Sequence, residues 1–177
     1  MKRKTDVRVR ILIGALMLFV ISFVVGNGRL ANSQPSDEAA VRETLLMSAS
    51  SFAKNDIAGA TRVWANDESL TIFENGHANY GWVDYRDNHL VPEMGEMKNT
   101  KYEFGDIKIR LAGSTAWAIL KYTIAADVME NGKARHVEGG GLGTAILEKR
   151  AEGWRIVHWH SSAPRRAPAP APTPTRP

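Results

Sequence analysis

The 177-residue sequence contains no cysteine. That absence excludes disulfide bonds, thiol nucleophiles, thiolate metal ligands and a lipid-bearing cysteine, and leaves the hydrophobic core as the source of stability. A basic surplus is also missing where it would matter. Of 23 basic and 19 acidic side chains, six and one lie in residues 1–33, and three and none in residues 164–177. That leaves 14 and 18 for residues 34–163, a net charge of −4. A segment of that sign lacks the excess of cations with which proteins hold phosphate backbones, so nucleic acid is not an expected partner. Nor is there a nucleotide-binding loop. The glycines of "EGGGLG", Glu138 to Gly143, sit inside a strand pattern and not between a strand and a helix. They predict a bulge or sharp bend.

What the chain does have begins with Lys2, Arg3, Lys4, Arg8 and Arg10, followed by the apolar run "ILIGALMLFVISFVVG" from Ile11 to Gly26. Basic residues ahead of an apolar run send the following domain across a membrane. Residues 1–33 therefore read as a signal peptide or N-terminal anchor, with small residues for cleavage in "ANS", Ala31 to Ser33. The expected location is periplasmic or secreted, with the membrane touched only through this segment if it is uncleaved. Residues 34–163 form the expected domain, and the Pro/Ala alternation of residues 164–177 reads as a solvated, extended tail.

Within the domain, Ser36 is placed to cap a helix from about Asp37 to Lys54, with a stripe of Val41, Leu45, Ser48, Ala49 and Phe52. Asp56 caps a short second helix through Trp64. "SLTIFENG" predicts a strand ended by Asn75-Gly76. Trp82, Tyr85, His89 and Leu90 predict a third helix between Tyr80 and Met97, ended or kinked by Pro92 near Val91. From Thr100 the apolar period becomes two, and "MENGK" and "EKRAEGW" supply hairpin turns, so four antiparallel strands close the domain. The order implies an α+β domain with helices on one face of a curved antiparallel sheet.

"EKRAEGWRIVHWHSSAP", this order of elements, and "TIFENG" ahead of the third helix resemble the nuclear transport factor 2-like superfamily. Within it the sequence is similar to SnoaL-like domains and to the association (hub) domain of calcium/calmodulin-dependent protein kinase II. The resemblance covers about residues 37–163. It implies a cone-shaped fold, three N-terminal helices packed on a curved antiparallel sheet with a pocket, and a homodimer or higher homo-oligomer. Some members are cofactor-free isomerases or cyclases and others bind or assemble, so the fold does not choose among these roles. Carried over by position, Lys121 stands where the hub pocket has an arginine, and Tyr85 where it has a histidine. Ala145 and Ser161 replace further arginines.

These positions give a candidate ligand-binding set of Tyr85, His89, Trp117, Lys121, Trp159 and Ser161, taking a small, partly apolar and, through Lys121, anionic molecule. Trp117 and Lys121 share a strand face, which would put an aromatic wall and a cation together. In "WRIVHWHSS", strict alternation groups Trp154, Ile156, His158 and His160 on one face and Val157, Trp159 and Ser161 on the other. Either face could line the pocket; the match of Ser161 to a pocket position favours the second. His158 and His160, with His77, His89, Glu74 or Glu138, lack diagnostic metal spacing, so no metal or other cofactor is expected. Proton-transfer chemistry would draw on Tyr85, Tyr122, His89, Asp106, Asp127, Glu74 or Glu138, among which no motif selects a pair.

Overall fold

The computed structural model describes residues 36–130 and 132–164. The expected export segment and all but the first residue of the expected tail lie outside them. Helix α1 (Asp37–Ala53) starts where Ser36 Oγ accepts the Ala39 N–H at 3.2 Å, with Asp37 and Glu38 at the positive end of the helix dipole. Helix α2 (Ile57–Val63) starts where the Asp56 carboxylate accepts the Gly59 N–H at 2.8 Å. Their buried sides carry Val41, Leu45, Ala49, Ala60 and Val63.

Strands β1 (Thr71–Glu74) and β2 (His77–Tyr80) form a hairpin around Asn75-Gly76, at φ 51° and 83°. Two consecutive positive φ angles make the twisted two-residue turn that Asn-Gly favours. Strand β2 departs from the sequence-based expectation, which has only a strand end at this turn. Its four residues are too short, and with only Asn79 buried too polar, to show a period of their own.

The third helix is continuous but not uniform. Segment α3 (Trp82–Tyr85) runs into a π-helical turn (Arg86–Leu90) and then α4 (Val91–Glu96). Pro92 therefore does not end the helix. The preceding turn is wide, with the Val91 N–H bonded to the Arg86 carbonyl five residues back, and Pro92 falls in the first turn of α4, where a missing N–H costs least.

Strands β3 (Met97–Ala112), β4 (Thr115–Glu130), β5 (Lys133–Arg150) and β6 (Gly153–Ser162) form a meander. The sheet order is β2-β1-β6-β5-β4-β3. It is mixed and not wholly antiparallel, because β6 meets β1 in parallel, Ile72 beside Trp159 and Glu74 beside Ser161. The third helix and three long strands intervene between the two, a connection long enough for parallel pairing.

Helices cover one sheet face, and the core between them centres on Leu45, Leu70, Ile72, Leu90, Leu147 and Ile156. Strict alternation fails along β6. The β5–β6 register passes from Ile146–His158 to Leu147–Ile156 and leaves Val157 as an extra residue. One inserted residue inverts the parity of the rest of the strand. Trp154 and Ile156 are buried, and so are Trp159 and Ser161, while His160 is exposed. The two apolar sets assigned to opposite faces thus share the inner one.

No bulge occurs at the glycines of β5. The β4–β5 register runs unbroken from Thr115–Glu148 to Glu130–Lys133. Gly143 instead answers a close approach: a Cβ there would lie 2.5 Å from Trp159 Cη2 and 3.0 Å from Leu120 Cδ1. Gly143→Val should therefore destabilise the protein by about 1–3 kcal/mol in urea unfolding. Gly95→Ala, in α4 with open space around it, should leave stability unchanged or raise it by about 0.4–1 kcal/mol.

Candidate functional site

Between the helices and the inner face of the sheet lies a cavity of about 230 Å³. Its walls are aromatic: Phe52, Trp64, Tyr85, Tyr102, Phe104, Tyr122 and Trp159. The Phe104 ring stacks on Trp159 at 5.3 Å, and Tyr102 stands between Phe52 and Tyr122 at centroid distances of 5.0 and 5.9 Å. Burial and nearby Glu74 push the Tyr85 and Tyr102 hydroxyls well above the usual phenol range, and do the same more mildly at Tyr122. All three are phenols at any ordinary pH.

The polar groups converge on Glu74. Parallel pairing of β1 with β6 sets its carboxylate against Trp159 and Ser161. Its Oε1 accepts the Trp159 Nε1–H at 2.8 Å and the Ser161 hydroxyl at 3.0 Å. Its Oε2 lies 3.2 Å from Nε2 of His89, and only 18% of its side chain is exposed. Trp159 and Ser161 thus supply donors to one oxygen, and the imidazole stands against the other.

The π-helical turn brings in His89. Tyr85, one turn earlier, packs edge-on against its ring at 5.4 Å, and Glu93, one turn later, places Oε2 at 3.7 Å from Nε2. Nδ1 of His89 lies 2.8 Å from Asn79 Oδ1. Glu93 has no stronger partner than this. Burial first, then the charges of Glu74 and Glu96, raise its carboxyl to about 7.

Of the sequence-derived set, Tyr85, His89, Trp159 and Ser161 line the cavity. Trp117 and Lys121 do not. Both point to the outer face of β4, where Trp117 is 46% exposed and Lys121 pairs with Asp106 at 2.8 Å. Along β4 it is Ala116, Ala118, Leu120 and Tyr122 that turn inward. The Trp117–Lys121 pair assigned to the cavity is therefore absent from it, and among the described residues no Lys or Arg lines it. His158 also faces outward, bonded through Nδ1 to the Thr71 hydroxyl at 2.7 Å and packed on Phe73. Asp106 and Asp127 pair with Lys121 and His136 on the surface. Among the described residues no group of three or more His, Asp or Glu is arranged to hold a metal ion.

Glu74 is visible in the sequence as a strand-end acid beside the third helix. Glu93 and Asn79 are not among the sequence-derived candidates. Glu93 does lie four residues after His89, the spacing of one helix face, and this signal could have found it.

Helices packed on a curved, mixed six-stranded sheet define the nuclear transport factor 2-like fold. Solved structures share it. A nuclear transport factor 2-like superfamily protein from Salmonella enterica serovar Typhimurium aligns at TM-score 0.65 and 21% identity, over 73% of this chain and 94% of that one. A Shewanella frigidimarina protein provisionally described as a ketosteroid isomerase aligns at 0.58 and 20%, over 72% and 98%. A Streptomyces avermitilis protein of the same fold family, provisionally described as a dehydratase, aligns at 0.64 and 12%, over 72% and 95%. No curated protein matches the chain. The family profile of the SnoaL-like domain matches residues 41–166, and the chain belongs to that family.

The raised Glu93 carboxyl has a thermodynamic consequence. The folded state holds the Glu93 proton up to about pH 7, whereas the unfolded chain releases it near 4.5. Folding thus binds a proton between these values, and this group makes stability fall as pH rises through that window. Glu93→Gln should match the wild type in stability at pH 4.5. At pH 8 it should exceed it by on the order of 1 kcal/mol, after allowance for screening at a side chain 36% exposed, in paired thermal or urea unfolding.

Proposed function

We propose that the protein is an exported, cofactor-free acid–base catalyst acting on a small, largely apolar, uncharged molecule bound in the cone cavity. The observation that carries this reading is a carboxyl poised near 7, Glu93, set beside a half-buried Glu74–His89 pair within aromatic walls. A general acid–base works best with its pKa near the working pH. Glu74 and His89 face each other at 3.2 Å, and Glu93 is the member placed to exchange a proton with a ligand. Tyr122, a phenol on the cavity wall, is placed to donate to a developing enolate oxygen. The absence of Lys and Arg from the lining speaks against the anionic ligand expected through Lys121. The isomerase and dehydratase descriptions of two fold neighbours both denote proton-transfer chemistry, which is compatible with this reading.

The step is a shift of a proton from the carbon beside a carbonyl to the far end of the adjoining double bond. Glu93 takes the first and returns the second, so charge and atoms balance. The compact probe 3-cyclohexen-1-one tests it. Its conversion to the conjugated 2-enone, followed by ultraviolet absorbance, should depend on a group titrating near pH 7, and Glu93→Gln should reduce kcat by about 10²-fold or more. Equal rates for wild type and variant would refute the assignment.

A second reading concerns assembly. On the outer sheet face Trp117, Ile119, Leu142 and Ile146 are all substantially exposed, and Trp117 lies directly beside Ile146 across the β4–β5 ladder. We propose that two copies pair through this face, since contiguous apolar area of this kind marks an interface. Light scattering should give a dimer for the wild type and a monomer for Trp117→Glu combined with Ile119→Arg.

A further inference from the structure

A chain of hydrogen bonds leads out of the cavity behind His89. The Asp84 carboxylate, at the end of α3, accepts three donors: Asn88 Nδ2 at 2.8 Å, the Tyr80 backbone N–H at 3.0 Å and Asn79 Nδ2 at 3.1 Å. Those bonds hold its carboxyl below the usual range, so it is ionised and only accepts. The consequence passes to Asn79, which is buried on β2. Its amide must turn the NH₂ toward Asp84, because the reverse orientation would set two oxygens against each other. Its carbonyl oxygen therefore faces His89 Nδ1, and Nδ1 must carry a hydrogen. The tautomer of His89 is fixed by this network.

We infer that Asp84 and Asn79 are positioning residues that lock His89 as the Nδ1–H form, so that Nε2 is the nitrogen that faces Glu74 and Glu93. Neither residue touches the cavity. The groups that face the imidazole are Glu74 from β1, Asn79 from β2, and Tyr85 and Glu93 from the third helix. With Nδ1 satisfied, Nε2 is the ring nitrogen turned to the carboxyls, 3.2 Å from Glu74 Oε2 and 3.7 Å from Glu93 Oε2, and the longer gap must close to hydrogen-bond distance before ring and Glu93 exchange a proton. Without the lock, an Nε2–H tautomer would donate permanently to Glu74 and leave Nδ1 to accept, and the route between ring and Glu93 would close. The catalytic consequence rests on the acid–base reading above; the tautomer itself does not.

Long-range ¹H–¹⁵N correlation spectra of the full chain, with ¹⁵N-labelled histidine, read the protonated nitrogen directly. In the wild type above pH 8, His89 should show Nδ1 as the protonated nitrogen. Asp84→Asn removes the acceptor-only constraint and should introduce the Nε2–H form, as should Asn79→Ala. The double variant Asn79→Asp with Asp84→Asn restores an acceptor-only group facing Nδ1, and should return the spectrum to the single Nδ1–H form. With 3-cyclohexen-1-one as probe, kcat should fall by roughly tenfold or more in each single variant, since a wrong tautomer disables an otherwise intact site, and recover in the double variant. Circular dichroism and melting curves identify any variant that fails to fold, and the wild-type spectrum alone still decides the tautomer. A wild type protonated on Nε2, or an Asp84→Asn variant still wholly Nδ1–H, would overturn the proposal. Absence of turnover by the wild type would refute the acid–base reading of the cavity and leave the tautomer result standing.

Discussion

Keeping a carboxylate at the floor of an apolar, aromatic cavity is the constraint around which this domain is arranged. Glu74, with 18% of its side chain exposed, would be expelled or neutralised without compensation. Its polar neighbours come from distant places: Trp159 and Ser161 from the last strand, and His89 from the third helix. Each neighbour needs a local irregularity. The extra residue at Val157 turns Trp159 and Ser161 inward, Gly143 makes room for the indole, and the π-helical turn carries His89 to the second oxygen. Irregularities of this kind cluster at functional sites because they aim a side chain that regular geometry would misplace.

The electrostatic result is acids of unequal strength. Asp84 is held ionised by three N–H donors, whereas Glu93 has burial and like charge without an adequate partner. Environment pushes apart groups of one chemical type, as in enzymes that assign acid and base roles to neighbouring carboxyls. The aromatic walls sharpen this by supplying no cation.

Much of the scaffold was legible because it is local. Caps at Ser36 and Asp56, the periodicity of α1, the Asn-Gly turn and the hairpins after Thr100 each act over a few residues, and the fold family emerges from their order. Four of six expected cavity residues line it. The two misplaced ones, Trp117 and Lys121, lie on β4, where alternation is regular and correctly groups them with each other. What failed was the choice of face, which single-strand periodicity does not contain. Along β6 alternation itself failed, because a one-residue bulge has no compositional mark in "RIVHWH".

The sequence by itself determined an α+β fold of the nuclear transport factor 2-like kind, with an aromatic-rich interior and, over residues 34–163, a net charge of −4. Propensity, capping and period are properties of short windows, and those windows are intact here. Only the tertiary structure decided which side chains share the cavity. Glu74 and Trp159 are 85 residues apart, and they meet because β6 pairs in parallel with β1 after crossing the sheet. Strand order, parity after a bulge and the orientation of an amide between Asp84 and His89 are set by non-local pairing. No window of sequence contains both partners, so the cluster of Glu74, His89 and Glu93 with Trp159 and Ser161 comes together only when the last strand pairs beside the first hairpin.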